Sequence, residues 1–138
     1  MEPIDRKDLF DGFDPAEHEE EVRRRWGDTD AYRESARRTQ RYTRADWERL
    51  KAEGDAVYRD AAAAQAAGQP ADSVAVMDIA ERHRLAIDRW FYPCGEALHV
   101  ELAAGYEADE RFARSIDRFG ERLTPFLCAA IRANARRD

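Results

Sequence analysis

Apolar residues recur along this chain at three- and four-residue steps, and no stretch alternates with the two-residue period of a strand. The clearest stripe is Val76, Ala80, His83, Ile87 and Trp90, which predicts a helix capped by Asp72 or Ser73 with that face buried or lining a cleft. Ahead of it, Asp14-Pro15-Ala16-Glu17 combines an aspartate cap, a proline in the first turn and a glutamate at the capping-box position, predicting a helix that closes at Trp26-Gly27. Thr29 caps a short second helix through Tyr32, Ala36 and Thr39, and Thr43-Arg44-Ala45-Asp46 opens a long third one through Trp47, Leu50, Val57 and Ala61. Alanine-rich sequence carries that helix to Gly68-Gln69-Pro70.

Past the central stripe the chain turns at Pro93-Cys94-Gly95. Leu98 and Leu102 mark a short helix ending near Gly105-Tyr106, and Asp109 begins another through Phe112, Ile116 and Phe119 until Gly120 breaks the pattern. The last helix carries Leu123, Leu127 and Ile131, with Phe126 and Ala130 beside them; Pro125 is tolerable only in its first turn. The expected fold class is therefore all-α, a single domain of six or seven helices. The half before Gly68 is rich in surface charge, and the more apolar half after it is the expected stable core.

A chain of 138 residues suits one compact domain that folds without disulfides. Its 23 Lys and Arg against 29 Asp and Glu give a formal charge of −6, which disfavours a nucleic-acid or anionic-membrane surface. The arginines of the tail 132–137 complement the negative end of the last helix and need no other role. Cys94 and Cys128 are the only cysteines and form no C-x-x-C pair, so reduced thiols are expected. The N-terminus has no apolar signal segment, and no run reaches membrane-spanning length, so a soluble cytoplasmic protein is the expectation.

Cys94 is the residue with most chemical promise. It follows Trp90-Phe91-Tyr92-Pro93 and precedes a new helix at Glu96. A helix N-terminus stabilises a thiolate, while the carboxylate of Glu96 opposes one, so a primed nucleophile and an inert buried thiol both remain open. Trp90, Phe91 and Tyr92 cannot all face one core, and at least one is expected to reach a cleft and stack on a flat ligand. Tyr106, Trp26, Tyr32 and Trp47 are further candidates, either as ligand contacts or as anchors of the helices that carry them. His83 and His99 invite a Cys/His metal reading, but a structural zinc site needs four ligands and no clustered set occurs; hydrogen-bonded core histidines are the plainer expectation. His99 as a partner of the Cys94 thiol lacks an accompanying oxyanion or specificity feature. Cys128 reads as packing.

In order and spacing, several stretches together resemble the TipAS family, antibiotic-recognition domains found at the C-terminus of MerR-type activators. They are Phe13-Asp14-Pro15, Trp26 to Tyr32, Tyr42 to Trp47, Pro70 to Ser73, His83-Arg84, Tyr92 with Cys94-Gly95, His99, Asp109 to Phe112, Ile116-Asp117 and Ala130 to Ala135. The resemblance covers most of residues 1–138 and implies a globin-like fold whose cleft binds peptide antibiotics instead of haem. It implies that residues 1–68 form lid helices ordered by the ligand over a helical core at 69–138. It further implies that the thiol matching Cys94 adds to a dehydroalanine of thiopeptides such as thiostrepton, with Trp90, Phe91, Tyr92, His99, Tyr106, Trp26, Tyr32 and Trp47 as candidate ligand contacts. Capture of this kind is stoichiometric rather than enzymatic and requires no cofactor and no metal.

Met1 lies a few residues before the first matched helix, so the expected form is the standalone sequestering product, without a DNA-reading head. Family members carry aspartate immediately before the cysteine, where this chain has Pro93. That departure weakens the case for the covalent step and gives weight to a noncovalent binder of another antibiotic, such as albicidin. A haem-binding globin and a pure protein-interaction module are the remaining rival classes; the first needs a histidine facing a flat pocket, and the second should ignore antibiotics.

Overall fold

In the computed structural model, residues 29–137 are described. They form six helices: α1 (Asp30–Thr39), α2 (Arg44–Ala66), α3 (Val74–Trp90), α4 (Glu96–Ala108), α5 (Glu110–Asp117) and α6 (Leu123–Arg136), with no strand among the described residues. The all-α reading is therefore correct. The helix expected from Asp14 to Trp26 lies outside the described residues.

Side-chain caps set most of the helix starts. Thr29 accepts from the Tyr32 N–H at 3.2 Å, and Ser73, rather than Asp72, caps α3 through the Val76 N–H at 3.3 Å. At α2 the box is reciprocal: Asp46 N–H donates to Thr43 Oγ1 at 3.2 Å, and Thr43 N–H to Asp46 Oδ2 at 3.0 Å. The end of α2 closes through Gly68 at φ 77°, with the Gly68 N–H on the Gln65 carbonyl and the Gln69 N–H on the Ala64 carbonyl, both at 3.0 Å. Only a residue free of a Cβ penalty adopts that left-handed turn cheaply.

The expected end of α4 near Gly105-Tyr106 falls short. The helix runs on to Ala108, because Tyr106 is anchored 5.2 Å from Phe112 and 6.0 Å from His83, and Asp109 then stops it by capping α5. Pro125 does sit in the first turn of α6, where its missing N–H costs nothing. Asp117 receives the Thr124 N–H at 2.8 Å and so supplies a carboxylate at that positive helix end.

Helix α6 is the centre of the molecule, packed against α2, α3, α4 and α5. Leu123, Leu127, Cys128, Ala130 and Ile131 are buried in one cluster with Ala61 and Ala64 of α2, Val76 and Ala80 of α3, Ala103 of α4 and Ile116 of α5. The small alanines let the helices approach closely. At Gly120 the fit is tight enough that a Cβ would lie 3.2 Å from the Ala62 Cβ. This core holds α3 and α4 rigidly, and the corner between them carries Cys94.

Candidate functional site

Cys94 stands one residue before Gly95, the cap of α4, at the corner the sequence predicts. Its peptide unit is held at both ends by α3: the Cys94 N–H donates to Asp88 Oδ1 at 2.8 Å, and Arg84 Nη1 donates to the Cys94 carbonyl at 2.7 Å. The residue is 1% exposed, with Sγ 3.8 Å from the Gly95 carbonyl. Burial pushes the thiol up to about 11, with the Asp88 and Glu81 carboxylates adding to the rise and Arg84 opposing it. Buried in this way, the thiol is protonated. The helix N-terminus does not overcome desolvation, so of the two readings left open, the resting group is a buried thiol.

Beside the corner lies an open groove of about 720 Å³, walled by Asp30, Ala31, Arg33, Glu34 and Arg37 of α1 and by Pro93 and Leu98. Its floor at Pro93 and Leu98 is apolar, and its α1 wall is charged. Arg37 and Arg38 both pair with Glu34, and their hydrogen bonds hold that carboxyl down to about 2. The groove is thus an amphipathic trough immediately against the residue that precedes Cys94.

Helix α1 is fixed over this groove by polar contacts. Arg38 Nη1 donates to the Asp88 carbonyl at 2.7 Å, and the Tyr42 hydroxyl donates to the Trp90 carbonyl. The Tyr42 ring stands edge-on to both Trp47 and Trp90, with centroids 5.6 Å away in each case. Trp90 Nε1 donates to Glu53 Oε2 at 2.7 Å, tying the end of α3 to α2. Trp47 and Trp90 therefore form the joint that seats α1.

The remaining candidates lie in several places. Tyr32 is half-buried on α1 but does not line the groove; Phe91 and Tyr92 are half-buried at the end of α3, and burial raises the Tyr92 hydroxyl to about 12. Tyr106 packs against the core, where burial raises its hydroxyl well above its ordinary value. His99 is 1% exposed and stacks on His83, with Nε2 2.8 Å from His83 Nδ1; the Tyr58 hydroxyl lies 3.3 Å from His83 Nε2. Burial lowers both imidazoles, with His99 adding to the fall at His83 and the Arg84 guanidinium to the fall at His99, so the pair is neutral. No group of three or more metal-ligating side chains occurs among the described residues. Trp26 lies outside the described residues.

Sequence reasoning missed the residues that hold the corner. Glu81, Arg84 and Asp88 fall at three- and four-residue steps beside the apolar stripe of α3, a charged stripe on an otherwise half-buried helix. That pattern was the available signal. It missed Tyr42 and Glu53 as well, which reveal themselves only through contacts far apart in sequence.

The TipAS antibiotic-recognition domain matches residues 18–134. The transcriptional activator TipA of Streptomyces coelicolor is 46% identical over 135 residues, 98% of this chain and 53% of that protein. The activator mta of Bacillus subtilis is 34% identical over 137 residues, 94% of this chain and 52% of that protein. The chain spans about half the length of these curated relatives. The Streptomyces lividans TipAS solved in complex with the thiopeptide nosiheptide superposes with a TM-score of 0.90 at 46% identity, covering 98% of this chain and 94% of that one. An antibiotic-binding domain of a TipA-class multidrug resistance regulator matches at TM-score 0.59 and 44% identity, covering 64% of this chain and 95% of that one. The expected globin-like helical fold is the one observed, and with the family match spanning most of its length the chain belongs to the TipAS antibiotic-recognition domain family.

Proposed function

We propose that this chain binds and sequesters a thiopeptide antibiotic in the groove between α1 and the Cys94 corner, with Cys94 forming a covalent bond to the bound drug. The observation that carries this reading is the superposition of nearly the whole chain on a TipAS that holds nosiheptide. The groove supports it. An apolar floor at Pro93 and Leu98 suits thiazole and oxazole faces, while the ion-paired wall of α1 offers donors and acceptors to peptide amides.

In the covalent step the Cys94 sulfur bonds to the β-carbon of a dehydroalanine, the carbon–carbon π bond breaks, and the thiol proton ends on the α-carbon. Each atom stays in the adduct, so capture is stoichiometric and the protein does not turn over. With the thiol held up to about 11, thiolate is scarce at neutral pH. The step therefore follows noncovalent docking, which raises the local concentration of alkene and opens the corner. Helix α1 acts as the lid that closes over the drug, while α2, packed into the core through Ala61 and Ala64, stays with 69–138 as the platform. The acidic balance of the chain disfavours direct DNA contact by this domain, and its two free thiols suit a reducing cytoplasm.

The burial of Cys94 and the proline before it favour a second reading, noncovalent sequestration of another peptide-like antibiotic such as albicidin. Intact mass under denaturing conditions after incubation with thiostrepton, together with calorimetry, separates the two. The covalent reading expects a one-drug mass increase that Cys94→Ala abolishes while calorimetric binding persists. Binding without any mass increase overturns the covalent step, and no binding at all overturns the antibiotic reading.

A further inference from the structure

We propose that Arg84 is a positioning residue for the Cys94 nucleophile, fixed in place by Glu81 and Asn134. This rests on the capture reading above and adds the residues that prepare the thiol for it.

The Cys94 peptide is the only link between Pro93 and the cap of α4, and α3 grips it from both sides. Asp88 takes its N–H and Arg84 its carbonyl, from positions one helical turn apart. Arg84 is not a loose surface cation. Its Nε and Nη2 engage Glu81 Oε1 and Oε2 at 2.8 and 2.5 Å, which leaves Nη1 aimed at the Cys94 carbonyl. Glu81 Oε1 in turn accepts from Asn134 Nδ2 at 3.0 Å, and Asn134 is 3% exposed on the central helix α6. A hydrogen-bonded line thus runs from the rigid core through Asn134, Glu81 and Arg84 to the nucleophile.

The planar fork of arginine is what this geometry requires, because one guanidinium serves a carboxylate on one edge and a carbonyl on the other. Lysine keeps the charge but cannot hold both partners in a fixed plane. The charge also has a direct consequence. The charged and titratable groups acting on the thiol are Arg84, Asp88 and Glu81 of α3, and the thiol in turn acts on Tyr92 of the corner and Tyr106 of α4; of the three on α3, Arg84 alone favours a developing thiolate. Asp88 secures the backbone, and Arg84 both secures it and offsets the anion.

The test uses the full chain and a small electrophile, so that it does not depend on any antibiotic. The rate of Cys94 alkylation by iodoacetamide, assigned to the residue by peptide mass, is followed against pH for the parent, Arg84→Gln and Arg84→Lys. The midpoint of the profile should move upward in Arg84→Gln, slowing the reaction at pH 8 by about threefold or more, and Arg84→Lys should restore most of it. Superimposed profiles of the parent and a folded Arg84→Gln, checked by circular dichroism, overturn the proposal. Should Arg84→Gln not fold, Asn134→Ala carries the test: it keeps every charge but loosens Glu81, and is expected to slow thiostrepton adduct formation while leaving calorimetric affinity unchanged; an unchanged adduct rate overturns the positioning line. If the parent forms no thiostrepton adduct, the capture reading falls, while the iodoacetamide profile still decides whether Arg84 governs the thiol.

Discussion

Helices α1 and α6 are held in the same domain by different forces. Helix α1 buries none of its ten residues and is retained by Arg38 on the Asp88 carbonyl, with Tyr42, just beyond it, reaching the Trp90 carbonyl. Helix α6 buries eight of its fourteen, including Leu123, Leu127 and Ile131. Apolar burial is cooperative and insensitive to any single polar contact, whereas a helix held by a few hydrogen bonds can leave without dismantling the core. The groove lies between this polar-held helix and the Cys94 corner.

Removing core volume should produce the largest effect. Ile131→Ala is expected to cost about 3 kcal/mol of global stability in urea unfolding, through lost transfer energy and the cavity left behind. A loss below about 1 kcal/mol would mean that α6 is not the core.

The His83–His99 pair should give the next largest effect, through pH. Both imidazoles are lowered by burial, so each is neutral in the fold while the unfolded chain takes up protons below its ordinary value near 6.5. Stability is then complete above about pH 6.5 and falls as pH drops toward the lowered folded values. At pH 6 the two histidines together should cost about 2 kcal/mol, and a His83→Gln/His99→Gln double variant should flatten the fall below pH 6.5 in thermal melts. An equal slope in the double variant would place the acid sensitivity elsewhere.

The smallest effect is the most local. Tyr42→Phe deletes the hydroxyl bonded to the Trp90 carbonyl while keeping the aromatic joint with Trp47 and Trp90. It should loosen α1 by about 1 kcal/mol, seen as faster proteolysis within residues 30–42, with the global melt nearly unchanged. A comparable drop in both would show that α1 and the core unfold as one unit.

The same contrast explains what the sequence revealed. Cap residues and apolar steps are local signals, so Thr29, Thr43, Ser73, the α6 stripe and the corner at Cys94 were all legible. The ionisation of Cys94 was not, because the desolvation that raises it depends on packing across helices rather than on the adjacent helix end. Nor were the grip of Arg84 and Asp88, the Tyr42–Trp90 joint or the His83–His99 stack, which join residues 6 to 48 positions apart through tertiary geometry. The groove's α1 wall was hidden for a related reason: Asp30, Arg33, Glu34 and Arg37 read as an ordinary solvated face until α1 is laid against Pro93 and Leu98.

Hydrogen exchange by mass spectrometry, with and without thiostrepton, tests the division most directly. Drug binding in the groove should increase protection in residues 30–42 and 91–98 and leave residues 123–136 as protected as before. Bound drug, confirmed by calorimetry, with no added protection in α1 or the Cys94 corner would contradict the account.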